Sequence, residues 1–498
     1  MKNILPSSLA VAASLLMLAT SNACAADAPL DIGSRRELFV DRYLIERFDN
    51  VRLKLHEPRD EGEVLRFNQP WEGIYCGYST VIKDGERFRL YYRGKQELKG
   101  DGVDEVTCYA ESHDGIHWTR PNLRLHLAGS TKENNIILTE PRVTHNFSPF
   151  LDTRPGVPAK ERFKALGGTT YKNPGGGLIA FVSGDGIHWE KLRTKPVITK
   201  GAFDSQNVAF WSEAEQCYAA YFRAFTKGVS TATEWRLDGL RGVSRSTSKD
   251  FLNWTEPQPM QFDPPQTEHI YINQTHPYFR APRLYIATAA RFMQGRRGIT
   301  DEDAARLQVD PRYFKAAKDV SDSVLLTSRD GRTYQQTFRE ALIRPSLRLN
   351  EWVSRCGYPA LNVVQTGHAE MSLYVNQDAA QPTAHLRRYS LRLDGFASVN
   401  ASFEGGEFVT KPLRFAGRQL MLNCATSAAG SIRVEIQDAD GKPIPGFSAA
   451  DCIEILGNRL EWPVRWKNGD DLGALAGQPV RLRFVMKDAD VYALRFVP

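Results

Sequence analysis

The chain has 498 residues, 42% apolar and 24% charged, with 38 Gly, 27 Pro and a formal net charge of +6. That length exceeds the range in which one hydrophobic core keeps growing, so two domains, or one large closed architecture with an appendage, are expected. The composition excludes a disordered chain, and the mild, dispersed charge excludes a nucleic-acid binder; the richest basic patch, Arg291 to Arg297, reads as a solvated loop.

Lys2, the apolar run Leu9 to Ala19 and the small-x-small site Ala23-Cys24-Ala25 predict a signal peptide over residues 1–25. A lipoprotein anchored at Cys24 would carry Leu at position 21, where Ser stands. No other apolar run approaches the ~20 residues needed to cross a bilayer. A soluble, periplasmic or extracellular protein is expected. The remaining cysteines, Cys76, Cys108, Cys217, Cys356, Cys424 and Cys452, are too widely spaced for a disulfide scaffold, and no Cys-x-x-Cys zinc pattern occurs. Cys424 with Cys452 is the one pair worth testing as a bridge.

Ser-x-Asp-Gly-Ile-His-Trp occurs at Ser112–Trp118 and again at Ser183–Trp189. Related turns end at Trp254 and Tyr334, and a degraded copy surrounds Asp394. The aspartates Asp114, Asp185, Asp250, Asp330 and Asp394 are separated by 71, 65, 80 and 64 residues, which is a repeat architecture. Three short strands precede each turn, rich in Val, Ile, Tyr and Phe and bounded by Gly, Asp and Pro. In blade one they are CGYSTVIK, RFRLYYRG and EVTCYAES. A fourth strand follows each turn. Four antiparallel strands repeated five times predict a five-bladed β-propeller over residues 35–398, an all-β fold that protects its sheet edges by closure. The segment 51–67 resembles a fourth strand and is expected to close the fifth blade. Residues 295–322 read as a helical insertion beside blade four. From residue 399 to 498, alternating apolar positions with Gly-Lys-Pro and Asp-Gly turns predict a β-sandwich.

In a propeller the inner strands line a central funnel, so functional groups are sought where those strands begin. This selects Trp71, Glu72 and Tyr75 in blade one, His145 and Asn146 in blade two, and Asp204, Gln206 and Asn207 in blade three. Blade four offers Glu268, His269, Tyr271 and Asn273; blade five offers Trp352, Arg355 and Tyr358. Asp41, a lone acid in the apolar stretch LFVDRYLI, joins them. Carboxylates, amides, an Arg and aromatics converging on one funnel suit carbohydrate, because carboxylates do acid/base work at the glycosidic bond and aromatic faces stack on sugar rings. Asp41, Asp204, Glu72 and Glu268 are the catalytic candidates. Trp71, Tyr75, His145, Asn146, Asn207, Tyr271, Asn273 and Arg355 are the substrate-binding ones. His269 and His276 have no metal-ligand spacing, so no metal or other cofactor is expected. His117 and His188, on the outer turns, are poor catalytic candidates. The partner predicted is a carbohydrate, not nucleic acid or membrane.

A propeller with S-x-D-G-x-x-W turns, followed by a sandwich, resembles the glycoside hydrolases of families 32, 43 and 68 over residues 35–498, most closely family 32. The resemblance implies a divergent, secreted glycosidase with three funnel acids, the first on blade one, an Asp on blade two and a Glu on blade three. Here blade one has no acid on CGYSTV, blade two begins with His145-Asn146, and blade three carries Asp204 in place of Glu. A non-catalytic carbohydrate-binding propeller, or a lyase or phosphorylase on the same scaffold, is the alternative.

Overall fold

A computed structural model describes residues 28–97, 104–169, 176–230, 234–316 and 318–498. The expected signal peptide and Cys24 lie outside the described residues. Five sheets form the blades of a propeller. Blade one is Gly77–Asp84, Arg87–Lys95, Glu105–Ser112 and Ile136–Leu138; blade two is Ser148–Leu151, Phe163–Gly167, Ile179–Ser183 and Glu190–Lys191. Blade three is Val208–Ser212, Cys217–Ser230, Trp235–Ser248 and Gln258–Pro259. Blade four runs from His269–Ile272 and Thr275–Tyr278 through Ala281–Gln294 and Asp319–Ser328 to Thr333–Gln335, with Gln261–Asp263 added at its outer edge. The helices Asp301–Arg306 and Pro311–Ala316 occupy the insertion expected beside this blade.

Blade five takes Tyr358–Pro359, Val364–Gln365, Glu370–Gln377 and His385–Arg392 from its own repeat and its outer strand, Arg59–Arg66, from near the N-terminus. His385 pairs with Arg66 and Ser390 with Arg59, so the second half of the segment expected to close the ring does close it, while Val51–Leu55 pairs with Ala397–Ala401 in another sheet. The chain after Asp394 instead enters a second, ten-stranded sheet as Ala397–Ala401. That sheet holds the residues expected to form a sandwich. It also recruits Leu30–Gly33, Glu37–Leu38, Ile45–Asp49 and Val51–Leu55, which the repeat pattern assigns to the propeller or leaves unassigned. Its long strands Gln419–Asp438 and Val480–Val497 pair along nearly their whole length around one apolar core that includes Phe408 stacked on Phe484. Cys424 and Cys452 are separate free thiols, both buried. Cys452 Sγ accepts a hydrogen bond from Val434 N, which satisfies it without a bridge.

The repeated turn is scaffolding, as its count implied. Asp114 Oδ1 accepts from the backbone N–H groups of Ile116 (2.7 Å) and His117 (2.8 Å), while Ser112 Oγ donates to it at 2.9 Å and accepts from Gly115 N. The same cage is built on Asp185, Asp250 and Asp330. Three of the turns then dock on a neighbouring blade: Tyr374 Oη donates to Gly115 O (2.6 Å), Tyr91 Oη to Gly186 O (3.0 Å) and Tyr221 Oη to Gly331 O (2.9 Å). Gly186 has φ +77°, and a Cβ there would lie 2.6 Å from Tyr91 Oη, so glycine is required both by conformation and by the approach. Trp118 packs edge-on to Tyr374 and Trp189 to Tyr91, between blades. Asp394 serves differently, accepting from Tyr278 Oη (2.8 Å) and pairing with Arg36 (3.2 Å) and Arg280 (3.0 Å) where propeller meets second sheet.

The axis is closed halfway along. Gln206 Nε2 donates to Thr80 Oγ1 (2.9 Å), and Gln274 Nε2 donates to Gln206 Oε1 and Pro359 O (both 2.7 Å). This amide plug ties blades one, three, four and five. It separates two mouths.

Candidate functional site

One mouth is an apolar cavity of about 560 Å³ walled by Val81, Phe150, Trp211, Phe279 and Leu361. Its ionisable groups are Lys83, Glu213, Tyr278 and His276, the last pushed down to about 4 by burial. A single carboxylate cannot supply the paired acids that glycosidic cleavage uses.

The other mouth gathers the chemistry. Tyr78, at the start of the inner strand of blade one, has φ +50°; Gln274 and Arg355 have φ +49° and +60°. Left-handed backbone at three bulky residues is costly and is held only where the surroundings over-determine it, a pattern that concentrates at functional sites. Asp204, before the inner strand of blade three, pairs with the buried Arg223 (2.6 Å), whose second nitrogen donates to Tyr271 O (3.0 Å) and whose guanidinium lies 4.1 Å from the Tyr271 ring centroid. Tyr78 Oη donates to Asp204 O at 3.2 Å. His145 stands edge-on to Tyr78, with Nε2 3.2 Å from Asp204 O and Nδ1 2.9 Å from Glu105. Glu105 also takes Lys95 at 2.5 Å, and its carboxyl sits at about 2: burial alone would raise it, and His145, Arg93 and Lys95 outweigh burial.

Tyr271 lies at the centre. Tyr358 packs on it at 5.2 Å, and Arg241 and Arg355 approach its ring at 5.6 and 5.8 Å. Burial pushes its hydroxyl up, but Arg355 and Arg223 reverse the shift and leave it below the usual phenol value. Asp319, first residue of its strand in blade four, is buried and accepts a hydrogen bond from Ser354 Oγ at 2.6 Å. Burial raises its carboxyl above the ordinary range, against the lowering pull of Ser354, Arg355 and Arg241. Tyr75, Tyr313, Arg93 and Asn376 complete the wall between blades one and five. The mouth thus offers an ion-paired carboxylate and a carboxyl shifted toward its protonated form, above a layer of buried, mutually packed tyrosine rings.

The architecture is similar to that of glycoside hydrolases of families 32 and 43. A Bombyx mori family 32 β-fructofuranosidase is 11% identical, with TM-score 0.40 over 88% of this chain and 94% of that one. A Bacillus subtilis family 43 arabinoxylan arabinofuranohydrolase is 12% identical, with TM-score 0.38 over 87% and 99%. An N-acetylgalactosamine deacetylase from F. plautii is 13% identical, with TM-score 0.44 over 69% and 96%. No family model matches the chain. Two uncharacterized proteins of Mycobacterium tuberculosis are each 34% identical over 79 residues, so the match spans 15% of this chain and 23% of those relatives.

Of the residues expected from sequence, Asp204, His145, Tyr271, Arg355, Tyr358 and Tyr75 meet at this mouth. The others do not. Asp41 pairs with Arg329 (2.8 Å) beside Glu37, at the contact of the second sheet with blade four. Glu72 is fully buried behind blade one, accepting from Tyr92 Oη (2.5 Å), Gln69 N (2.9 Å) and both sides of the Arg120 fork (2.7 and 3.1 Å). Glu268 accepts from Thr267 Oγ1 and lines a separate surface cavity with Arg291, Asp322 and Trp352. Trp71 Nε1 donates to Asn135 Oδ1, which fixes the indole beside the blade-one core. Asn146 and Asn207 both donate to Ser205 O at 2.9 Å, shaping the loop that carries Asp204. Asn273 Oδ1 caps Thr275 within a turn. Sequence reasoning missed Tyr78, Arg93, Glu105, Arg223, Arg241 and Asp319. The available signal was the Arg following aromatic residues in RLYYRG and CYAAYFRAF, on second strands that lean against the inner ones.

Proposed function

We propose that the chain is a glycoside hydrolase whose funnel mouth holds the glycosidic bond between Asp204 and Asp319 and cleaves it there. The observation that carries this reading is the unlike setting of the two carboxyls: Asp204 in an ion pair with Arg223, Asp319 buried and raised. A glycosidase needs one carboxyl as proton donor and one as base or nucleophile, and environments that push the two apart assign the roles. Asp319 is then the acid that protonates the leaving oxygen, and Asp204 the base or nucleophile. The buried rings of Tyr271, Tyr358 and Tyr78 form the floor on which these groups are held, and His145 holds the Asp204 backbone through its carbonyl. Export to the periplasm or outside the cell belongs to the same proposal and rests on the N-terminal apolar run.

The test is reducing-sugar release across a glycan panel by wild type, Asp204→Asn and Asp319→Asn. Wild type is expected to cleave at least one glycan, with each variant slower by about 10²–10⁴-fold, the usual share of a general acid or base. A wild type that binds glycans and cleaves none would make this a binding propeller; a 4,5-unsaturated product would make it a lyase.

A further inference from the structure

Four guanidiniums converge on the funnel mouth: Arg93, Arg223, Arg241 and Arg355. Among the described residues only Arg223 has a carboxylate within 4 Å. Arg93 spends its nitrogens on His145 and on Tyr75 O, and its Nε is buried without a partner. Arg241 lies over Phe292 (4.9 Å) and Tyr271, with no hydrogen-bond partner for its guanidinium among the described residues and a buried, unsatisfied Nε. Arg355 is exposed at the rim, held in left-handed backbone and packed near Tyr271 and Tyr313. Burial, and then the neighbouring Arg223, push Arg241 below its ordinary value against the raising pull of Tyr271 and Asp204.

Arg93 and Arg241 are half-buried and Arg355 is exposed; cations partly withdrawn from water are normally paired, and a guanidinium offers a planar fork that matches an oxyanion. Elsewhere in this molecule the rule holds: Arg291 grips Asp322 through both nitrogens at 2.9 and 2.5 Å, and Arg329 grips Asp41 and Glu37. Arg241 and Arg355 lie close enough to Asp319 to pull its carboxyl down, yet among the described residues neither has a carboxylate within 4 Å, which leaves both forks open to an added oxyanion. We infer that the mouth binds an acidic saccharide, with Arg241 and Arg355 taking the oxyanion of the sugar, either the carboxylate of a uronic residue or a sulfate ester, over the buried Tyr271 that both guanidiniums approach. This rests on the carbohydrate reading above and narrows its substrate to one charge class.

Binding of the mature chain is measured by calorimetry against oligogalacturonide and alginate oligosaccharides, sulfated carrageenan oligosaccharides, and neutral galacto-, xylo- and fructo-oligosaccharides. At least one acidic probe should bind about 10-fold or more tightly than every neutral one and weaken steeply with added salt. Arg241→Gln and Arg355→Gln should each lose about 10- to 100-fold, the share of a charge-assisted hydrogen bond. Uronate and sulfate arms identify which oxyanion is read. Arg241→Lys keeps the charge without the fork, and circular-dichroism melting confirms that each variant is folded. Equal or better binding of neutral probes, no binding of any acidic probe, or full affinity in folded Arg241→Gln and Arg355→Gln would overturn the inference. An acidic glycan that binds without being cleaved removes the hydrolase reading and leaves this one standing; a neutral glycan that is cleaved does the reverse.

Discussion

Replacing Glu72 by alanine separates a structural carboxylate from a catalytic one. Glu72 is wholly buried and is the shared acceptor for Tyr92 Oη, Gln69 N and a bidentate Arg120. Removing it strands the Arg120 guanidinium, whose side chain is only 21% exposed, and leaves two further donors without acceptors. Loss of one partner of such a pair costs about 3–5 kcal/mol, because the remaining charge stays out of water. Taking roughly 2–4 °C per kcal/mol, the figure for domains of about 150–250 residues, the melting temperature should fall by about 6–20 °C. Glu72→Gln keeps one acceptor oxygen and should lose about half as much. The assay is scanning calorimetry on both variants, paired with turnover measured well below their transitions. Turnover per folded molecule should stay within about twofold of wild type. A Glu72→Ala protein that melts within about 1 °C of wild type yet has lost turnover would refute the reasoning and return Glu72 to the catalytic candidates.

Gly186→Ala should destabilise by about 1–3 kcal/mol in denaturant titration, since the residue sits at φ +77° with Tyr91 Oη 2.6 Å from the new Cβ, whereas Gly85→Ala at φ +60° meets open space and should cost less; equal losses would mean the blade-to-blade contact is irrelevant. Glu105 has its folded pKa depressed to about 2, so its contribution of at most about 3 kcal/mol is complete above the unfolded value near 4.5 and is lost as pH falls from there toward 2. Glu105→Gln should therefore flatten the acid-unfolding profile in that window, and an unchanged profile would count against the Lys95–Glu105–His145 cluster. Asp319 has the opposite sign: its raised pKa means stability is lost as pH rises through the folded value. Asp319→Asn should melt higher than wild type at about pH 8, with the gap closing toward about pH 4, while turnover falls about 10²–10⁴-fold; a variant that melts lower at the higher pH would show that the carboxylate is stabilising.

The blades were legible because each Ser-x-Asp turn is a local cage, in which one carboxylate accepts from the backbone N–H groups two and three residues on and the serine hydroxyl from the one between, so spacing in sequence suffices to specify it. The fifth copy is degraded because its aspartate no longer caps a turn. Asp394 pairs with Arg36 and Arg280 at a contact between sheets, and its blade takes its outer strand from residues 59–66. Selecting the starts of inner strands found Asp204, His145 and Tyr271. It could not separate them from Asn146, Asn207 and Asn273, one to three positions away, since which side chain turns to the axis depends on irregular backbone rather than strict alternation. Asp319 and Ser354 were invisible for another reason. They come from different blades, 35 residues apart, and acquire meaning only through their 2.6 Å hydrogen bond.

The second strands carry the less obvious lesson. In blades one, three and four an arginine follows apolar residues on that strand, as Arg93, Arg223 and Arg291, so the repeat itself delivers cations toward the inner strands. What differs is the partner. Arg291 is neutralised by Asp322 from its own sheet, Arg223 by Asp204 from the loop before the inner strand, and Arg93 hydrogen-bonds, among the described residues, to a histidine and to carbonyls. A scaffold that needed these arginines for packing alone would be expected to pair them all, because even a half-buried charge such as Arg93 carries a desolvation cost that a carboxylate partner offsets. On the reading proposed above, the paired Arg291 and Arg223 belong to the fold, and the arginines without a carboxylate, Arg93, Arg241 and Arg355, are the ones left for a ligand. The same comparison predicts the asymmetry of mutation: Arg291→Gln should lower the melting temperature, by stranding Asp322, without changing glycan affinity, and Arg241→Gln should change affinity without lowering the melting temperature. If Arg291→Gln weakened glycan binding as strongly as Arg241→Gln, the division between paired and unpaired arginines would carry no functional information.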